Sequence, residues 1–215
     1  PADHDHFGVA IEGDVSAWPD HFGEAVLPVF DSFNPRRSYL EIFAEGTRPI
    51  AFTLAAQQPW IMLTEDRSPR PDRRFWVEID WAKAPEGTST GAITIDGNRG
   101  SIRVAVPIRK ATPEQTRAAK GRFASLDGPV AFDASAAVTN TEVAGVRWEK
   151  VPDYGRVEAA MAIYPVTAAS IRPPAPAPTL EYPVYLQRAG TYEIALVLGP
   201  VMDFVPDRGM CLAVS

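Results

Sequence analysis

Cysteine is almost absent: Cys211 stands alone in 215 residues, which excludes an internal disulfide framework and a multi-cysteine metal centre. Histidine is scarce too, with three residues, His4, His6 and His21. No histidine follows position 21 to partner a nucleophile, which argues against a Ser–His triad. No run of about 18 uninterrupted apolar residues offers a membrane span. Positive charge is short as well. Lys and Arg total 21 against 27 Asp and Glu, a net charge of −6, which argues against nucleic acid or an anionic membrane as partner. Neither an initiator Met nor a basic-then-apolar leader is present, and no Asn-x-Ser/Thr acceptor occurs. We read the chain as a piece of something longer, because Cys211-Leu-Ala-Val-Ser215 has the pattern of a strand with no following partner.

Proline, in contrast, is abundant: 21 residues, about twice the usual share of about 5%. That excludes a helix bundle and points to short strands between stiff turns. Hydrophobic residues at 46% and charged residues at 22% are those of a globular chain. Strand signals fill residues 7–110. In Arg74-Phe-Trp-Val-Glu-Ile-Asp-Trp81, Phe75, Val77, Ile79 and Trp81 share one face, while Trp76, Glu78 and Asp80 share the other. Ser38–Phe43, Ile50–Leu54 and Trp60–Leu63 read alike. Gly91–Ile95 and Ser101–Val106 flank Asp96-Gly-Asn-Arg-Gly100, a hairpin signal. Together these predict an immunoglobulin-like sandwich over 7–110, with prolines at its turns.

Residues 111–128 form a connector, in which Thr112-Pro-Glu predicts a helix start and Gly121 a stop about two turns later. Strand patterning resumes over 129–215 in Val130–Phe132, Val146–Trp148, Ala160–Tyr164, Leu180–Tyr182 and Tyr192–Leu198. Arg188-Ala-Gly190 predicts a hairpin joining Val184–Gln187 to Thr191–Ile194. Pro173-Pro-Ala-Pro-Ala-Pro178 reads as a rigid loop within that second domain. The fold class is therefore all-β: two consecutive sandwiches joined by a short helical connector.

Candidate chemistry is sparse. Asp3-His-Asp-His6 has ligand types at i, i+2 spacing but lies at a terminus; no metal or cofactor is expected. Among carboxylates, Asp80 and Asp153 stand out, though such positions usually serve turns. The five tryptophans are many for this length. Trp60 and Trp148 read as core. Trp76 and Trp81 lie on opposite faces of one strand, and Trp81 opens the loop Ala82–Gly87. The expected carbohydrate or partner contacts are thus Trp76, Asp80, Trp81 and Lys83.

Many short blocks in order carry a family resemblance. Phe7-Gly-Val-Ala-Ile-Glu-Gly13, Ala17-Trp-Pro19, Gly23–Pro28, Phe30-Asp-Ser32, Pro59-Trp-Ile61, Ile79-Asp-Trp81 and Lys83-Ala-Pro85 open the series. Gly145-Val-Arg-Trp148, Gly155-Arg156, Leu180-Glu-Tyr182, Asp207-Arg-Gly209 and Ala213-Val-Ser215 continue it. This resembles the region after the catalytic and helical parts of glycoside hydrolase family 115. The resemblance implies a xylan α-1,2-glucuronidase, secreted or periplasmic, that removes glucuronic or 4-O-methylglucuronic acid. In that family the active site lies mainly in an upstream barrel-like domain, so no catalytic residue carries over to this sequence. What it implies here is an inserted Ig-like domain and the start of a C-terminal jelly-roll-like domain, which family members complete beyond the position of Ser215. These parts would support homodimer assembly and the active-site entrance, with glucuronoxylan contact as the alternative role. Phe132-Asp-Ala-Ser135 departs from relatives that show an apolar residue followed by Glu-Ala. Losing that Glu removes a ligand that sugar-binding jelly rolls use for calcium.

Overall fold

The computed structural model describes residues 7–46, 50–69, 72–97, 100–154, 159–171, 175–199 and 212–214. The chain divides into two compact units, one of residues 1–118 with 125–129, the other of residues 119–124 with 130–215. In both units the described strands outnumber the helical residues, and the fold is all-β.

In the first unit β1 (Phe7–Ile11), β2 (Ala17–Trp18), β3 (Ala25–Val26), β4 (Phe30–Asp31) and β5 (Ser38–Ala44) are followed by β6 (Phe52–Ala56), β7 (Ile61–Glu65), β8 (Arg73–Ile79), β9 (Gly87–Gly97) and β10 (Gly100–Lys110). One sheet runs β2-β1-β5-β8-β7 and is antiparallel throughout. The other runs β3-β10-β9-β6, with β4 also on β10. Alternation decides which residues face inward. Phe7, Val9, Ile11, Leu40, Ile42, Phe75, Val77 and Ile79 of the first sheet join Ile93, Ile95, Ile102, Val104, Val106 and Ile108 of the second in one core. Removing each such side chain from water stabilises the fold by roughly 1.5–3 kcal/mol, against the entropy of ordering it. Trp18 and Trp60, each 5% exposed, belong to the same core.

Proline has a subtler place than a turn. Pro107 lies inside β10, opposite Thr90 of β9. On its other side the partners are two short parallel strands: β3 pairs at Val104 and Ala105, β4 at Ile108 and Arg109. Pro107 falls in the gap between them, where its missing N–H leaves no ladder bond unmade. Pro28 sits in the matching gap of the partner chain segment, between β3 and β4.

The helix α1 (Pro113–Ala118) starts where the sequence predicts. Thr112 Oγ1 accepts from the Gln115 N–H at 3.2 Å, and Gln115 Oε1 accepts from the Thr112 N–H at 2.9 Å, a reciprocal capping box. Gly121, with φ of +70°, follows in the left-handed conformation that favours glycine. Residues 125–127 are fastened to the second sheet by buried Asp31. Its Oδ2 accepts from the Leu126 N–H at 2.6 Å and from Ser125 Oγ at 3.1 Å.

In the second unit β11 (Thr139–Thr141) pairs with β14 (Thr179–Glu181), and β12 (Arg147–Pro152) pairs with β13 (Ala159–Tyr164). The predicted strand at Val130–Phe132 is not formed, and neither is the hairpin of Val184–Gln187 with Thr191–Ile194. Val184 makes a single bridge to Phe123, and residues 191–199 carry no ladder among the described residues. Their alternation is that of a strand, but a strand exists only beside a partner. Without one, Ile194, Leu196 and Leu198 are exposed. Trp148, expected in a core, is half-buried and donates from Nε1 to Pro178 O at 3.0 Å, pinning the end of the proline-rich loop. Pro173 and Pro174 lie outside the described residues, as do Cys211 and most of the terminal run; Leu212–Val214 form no strand.

Candidate functional site

The four residues singled out by sequence occupy β8 and the turn after it, and they do not converge on one spot. Trp76 faces away from the core, opposite Tyr39 in the β5–β8 register. The two rings meet edge-to-face at 5.7 Å. The Arg37 guanidinium lies 3.8 Å from the centre of the Trp76 ring, and the Arg74 guanidinium 3.9 Å from that of Tyr39. Arg74 also donates from Nε and Nη2 to Glu41 Oε1 at 2.9 and 2.7 Å. The outer sheet face therefore carries a ladder of stacked arginines and aromatics. Each stack is worth about 0.5–1 kcal/mol at an exposed position. A sugar ring stacking on the same Trp76 face would have to displace Arg37.

Trp81 lies past the end of β8 and packs, partly buried, against the core of the first unit. Asp80 organises the turn between them. Its backbone N–H donates to Trp60 O at 2.9 Å, and its carbonyl accepts from the N–H groups of Lys83 and Ala84 at 3.1 and 3.0 Å. Its carboxylate accepts from the Ala82 N–H at 3.1 Å and pairs with Lys83 Nζ at 2.8 Å. The Lys83 hydrogen bond, with the Ala82 N–H, holds the Asp80 carboxyl below the usual aspartate range. Asp80 and Lys83 thus meet each other, while the two tryptophans address different faces. Asp153, the other carboxylate noted, follows β12 in a left-handed conformation with φ of +55°.

Sequence reasoning missed the arginines on this face. Arg37 and Arg74 share the outward parity of Tyr39 and Trp76, but the β5–β8 register that joins them is not visible in either strand by itself. A further arginine, Arg73, has inward parity and closes one end of the sandwich. Its guanidinium lies 4.7 Å from the Phe52 ring and 5.3 Å from Phe75, and it donates to Glu65 Oε1 at 2.7 Å. That hydrogen bond holds the Glu65 carboxyl below its ordinary value.

At another corner of the first unit, Trp18, Pro19, His21, Gly23 and Glu24 line an open pocket of about 400 Å³ with Ser101, Ile102 and Arg103. Glu24 and Arg103 form an ion pair at 2.6 Å, both about half exposed. His4 and His6 lie outside the described residues.

The second unit gathers Phe123, Phe132 and Tyr182 into a stack. Phe123 and Phe132 centres are 4.3 Å apart, Phe132 and Tyr182 centres 5.0 Å apart. Tyr182 Oη donates to Ala134 O at 2.6 Å, and burial followed by the nearby Asp133 raises its pKa. Asp133 caps the short 3₁₀ turn Ala134–Ala136 by accepting from the Ser135 N–H at 2.8 Å. Among the described residues no three His, Cys, Asp or Glu side chains group as metal ligands.

Residues 122–215, and with them this aromatic stack, match the family model described as the glycosyl hydrolase family 115 C-terminal domain. No curated protein sequence matches the chain.

Proposed function

Since residues 122–215 belong to the glycosyl hydrolase family 115 C-terminal domain, an accessory region of a glycoside hydrolase, we propose that the chain is the non-catalytic support of a xylan α-1,2-(4-O-methyl)glucuronidase. It assists homodimer assembly and the shape of the active-site entrance, next to a catalytic domain upstream in the same protein. That enzyme works outside the cytoplasm, secreted or periplasmic, where xylan is met. The family match carries this reading. The side chains support it: Asp80 is engaged by Lys83 and the Ala82 N–H, and Glu65 by Arg73, so these carboxylates serve the fold rather than an acid–base pair.

The alternative is a xylan-binding module. It has less support, because Arg37 covers Trp76 and Trp81 packs against the core. Affinity electrophoresis in gels containing glucuronoxylan separates the two roles. The support role predicts mobility equal to that in a polysaccharide-free gel. Retardation that Trp76→Ala or Trp81→Ala abolishes would replace it with the binding-module reading.

A further inference from the structure

Two arginines stand over aromatic rings on the outer face of the first sheet, and only one of them is satisfied. Arg74 lies 3.9 Å from the centre of the Tyr39 ring and donates from Nε and Nη2 to Glu41 Oε1 at 2.9 and 2.7 Å. Stack and carboxylate together complete that unit, with the Arg74 and Glu41 side chains only 17% and 25% exposed. Arg37 repeats the first half, 3.8 Å from the centre of the Trp76 ring. The second half is missing. Arg37 is exposed, and among the described residues no Asp or Glu pairs with it. Glu78, exposed on the same face of β8 as Trp76, makes no ion pair with it either.

A guanidinium resting on an indole keeps its N–H edge free, because the ring engages only its flat face. The stack also restricts the side chain before any ligand arrives, so less freedom is lost on binding. The filled neighbour shows what such an edge takes on this face: a carboxylate. The source of that carboxylate follows from what is already covered. A uronic acid brings a pyranose ring, which binds best on an open aromatic face, and Arg37 occupies that of Trp76. An Asp or Glu side chain needs only the N–H fork. Met62, opposite Glu78 in the β7–β8 register and 43% exposed, offers apolar ground to its neighbour in a peptide. We propose that Arg37, held on Trp76, is the docking point for an acidic peptide segment of a protein partner. That segment supplies to Arg37 the carboxylate that Glu41 supplies to Arg74. The inference goes beyond the support role above and does not depend on it.

Titration of the isotope-labelled chain with a hexaglutamate peptide, followed by NMR at the Arg37 Nε–H and the Trp76 indole N–H, tests it. Both signals should shift and saturate together. Arg37→Lys keeps the charge but loses the fork, and should raise the dissociation constant by about 5-fold or more. Its melting temperature should be unchanged, since Arg37 is exposed. Arg36→Lys, the same exchange one residue away, should bind as the wild type does. Equal weakening by both exchanges, or by neither, would reduce the effect to general charge attraction and overturn the site. Absence of saturable shifts in the wild type would overturn it as well. Tighter binding of hexagalacturonate, which carries the same number of carboxylates on sugar rings, would assign the site to a polysaccharide and overturn the peptide partner.

Discussion

Asp31 is the side chain whose loss the first unit should feel most locally. It is 7% exposed, its Oδ1 accepts from the Phe33 N–H at 2.8 Å, and its Oδ2 holds the Leu126 N–H and Ser125 Oγ. The Arg109 guanidinium fixes the same segment from the other side, donating to Leu126 O at 2.8 Å and pairing with Asp127 at 3.0 Å. In Asp31→Ala the Leu126 N–H stays buried without its carboxylate, a penalty of about 1–3 kcal/mol. Loss of the charge-assisted bond to Phe33 adds about 1 kcal/mol, and relief of the carboxylate's own desolvation offsets a part. The net is about 2 kcal/mol. Urea unfolding of the first unit should show that loss as a lower midpoint at unchanged slope. Hydrogen exchange at the Leu126 amide should accelerate by about 30-fold, the local counterpart of the same free energy. Asp31→Asn, which keeps one acceptor oxygen, should fall between. A variant within about 0.5 kcal/mol of wild type, with Leu126 still protected, would refute the reasoning.

Two further expectations follow from packing and charge. A Cβ on Gly91 would come within 2.5 Å of the Trp60 ring and 2.8 Å of Ile61 Cδ1, both side chains buried, so Gly91→Ala should destabilise by about 1–3 kcal/mol and shift Trp60 fluorescence. Unaltered stability and emission would show the Trp60 wall to be loose. Glu65, lowered by its hydrogen bond from Arg73, and Asp80, lowered by Lys83, both bind protons less readily folded than unfolded. Their stabilisation is complete above the unfolded values near 4 and is lost as pH falls through the folded values, so stability should decline below about pH 4. Arg73→Gln removes the Glu65 share of that decline; a wild-type Glu65 titrating by NMR at its ordinary value would contradict it.

Much of the first unit is legible in the sequence because its longer strands alternate. Leu40 and Ile42, Phe75, Val77 and Ile79, and Val104 and Val106 all face the core as their spacing demands. The two-residue strands β2, β3 and β4 have no period to read. The place of Pro107 depends on two strands pairing with β10 on either side of it, which local chemistry does not encode. In the second unit Tyr192–Leu198 has strand alternation and no ladder among the described residues, since pairing belongs to two segments. The candidate site was legible in residue type and less so in arrangement. Trp76 is outward as its parity requires, but its coverage by Arg37 follows from side-chain placement across the β5–β8 pair.

In the role we propose, this chain supports a glycoside hydrolase without cleaving bonds itself. Its most direct test is to incubate the purified chain with glucuronoxylan and with short aldouronic acids and to quantify released glucuronic and 4-O-methylglucuronic acid. No release above the buffer control is expected at any chain concentration. Release that rises in proportion to the chain, and follows it through purification, would contradict it.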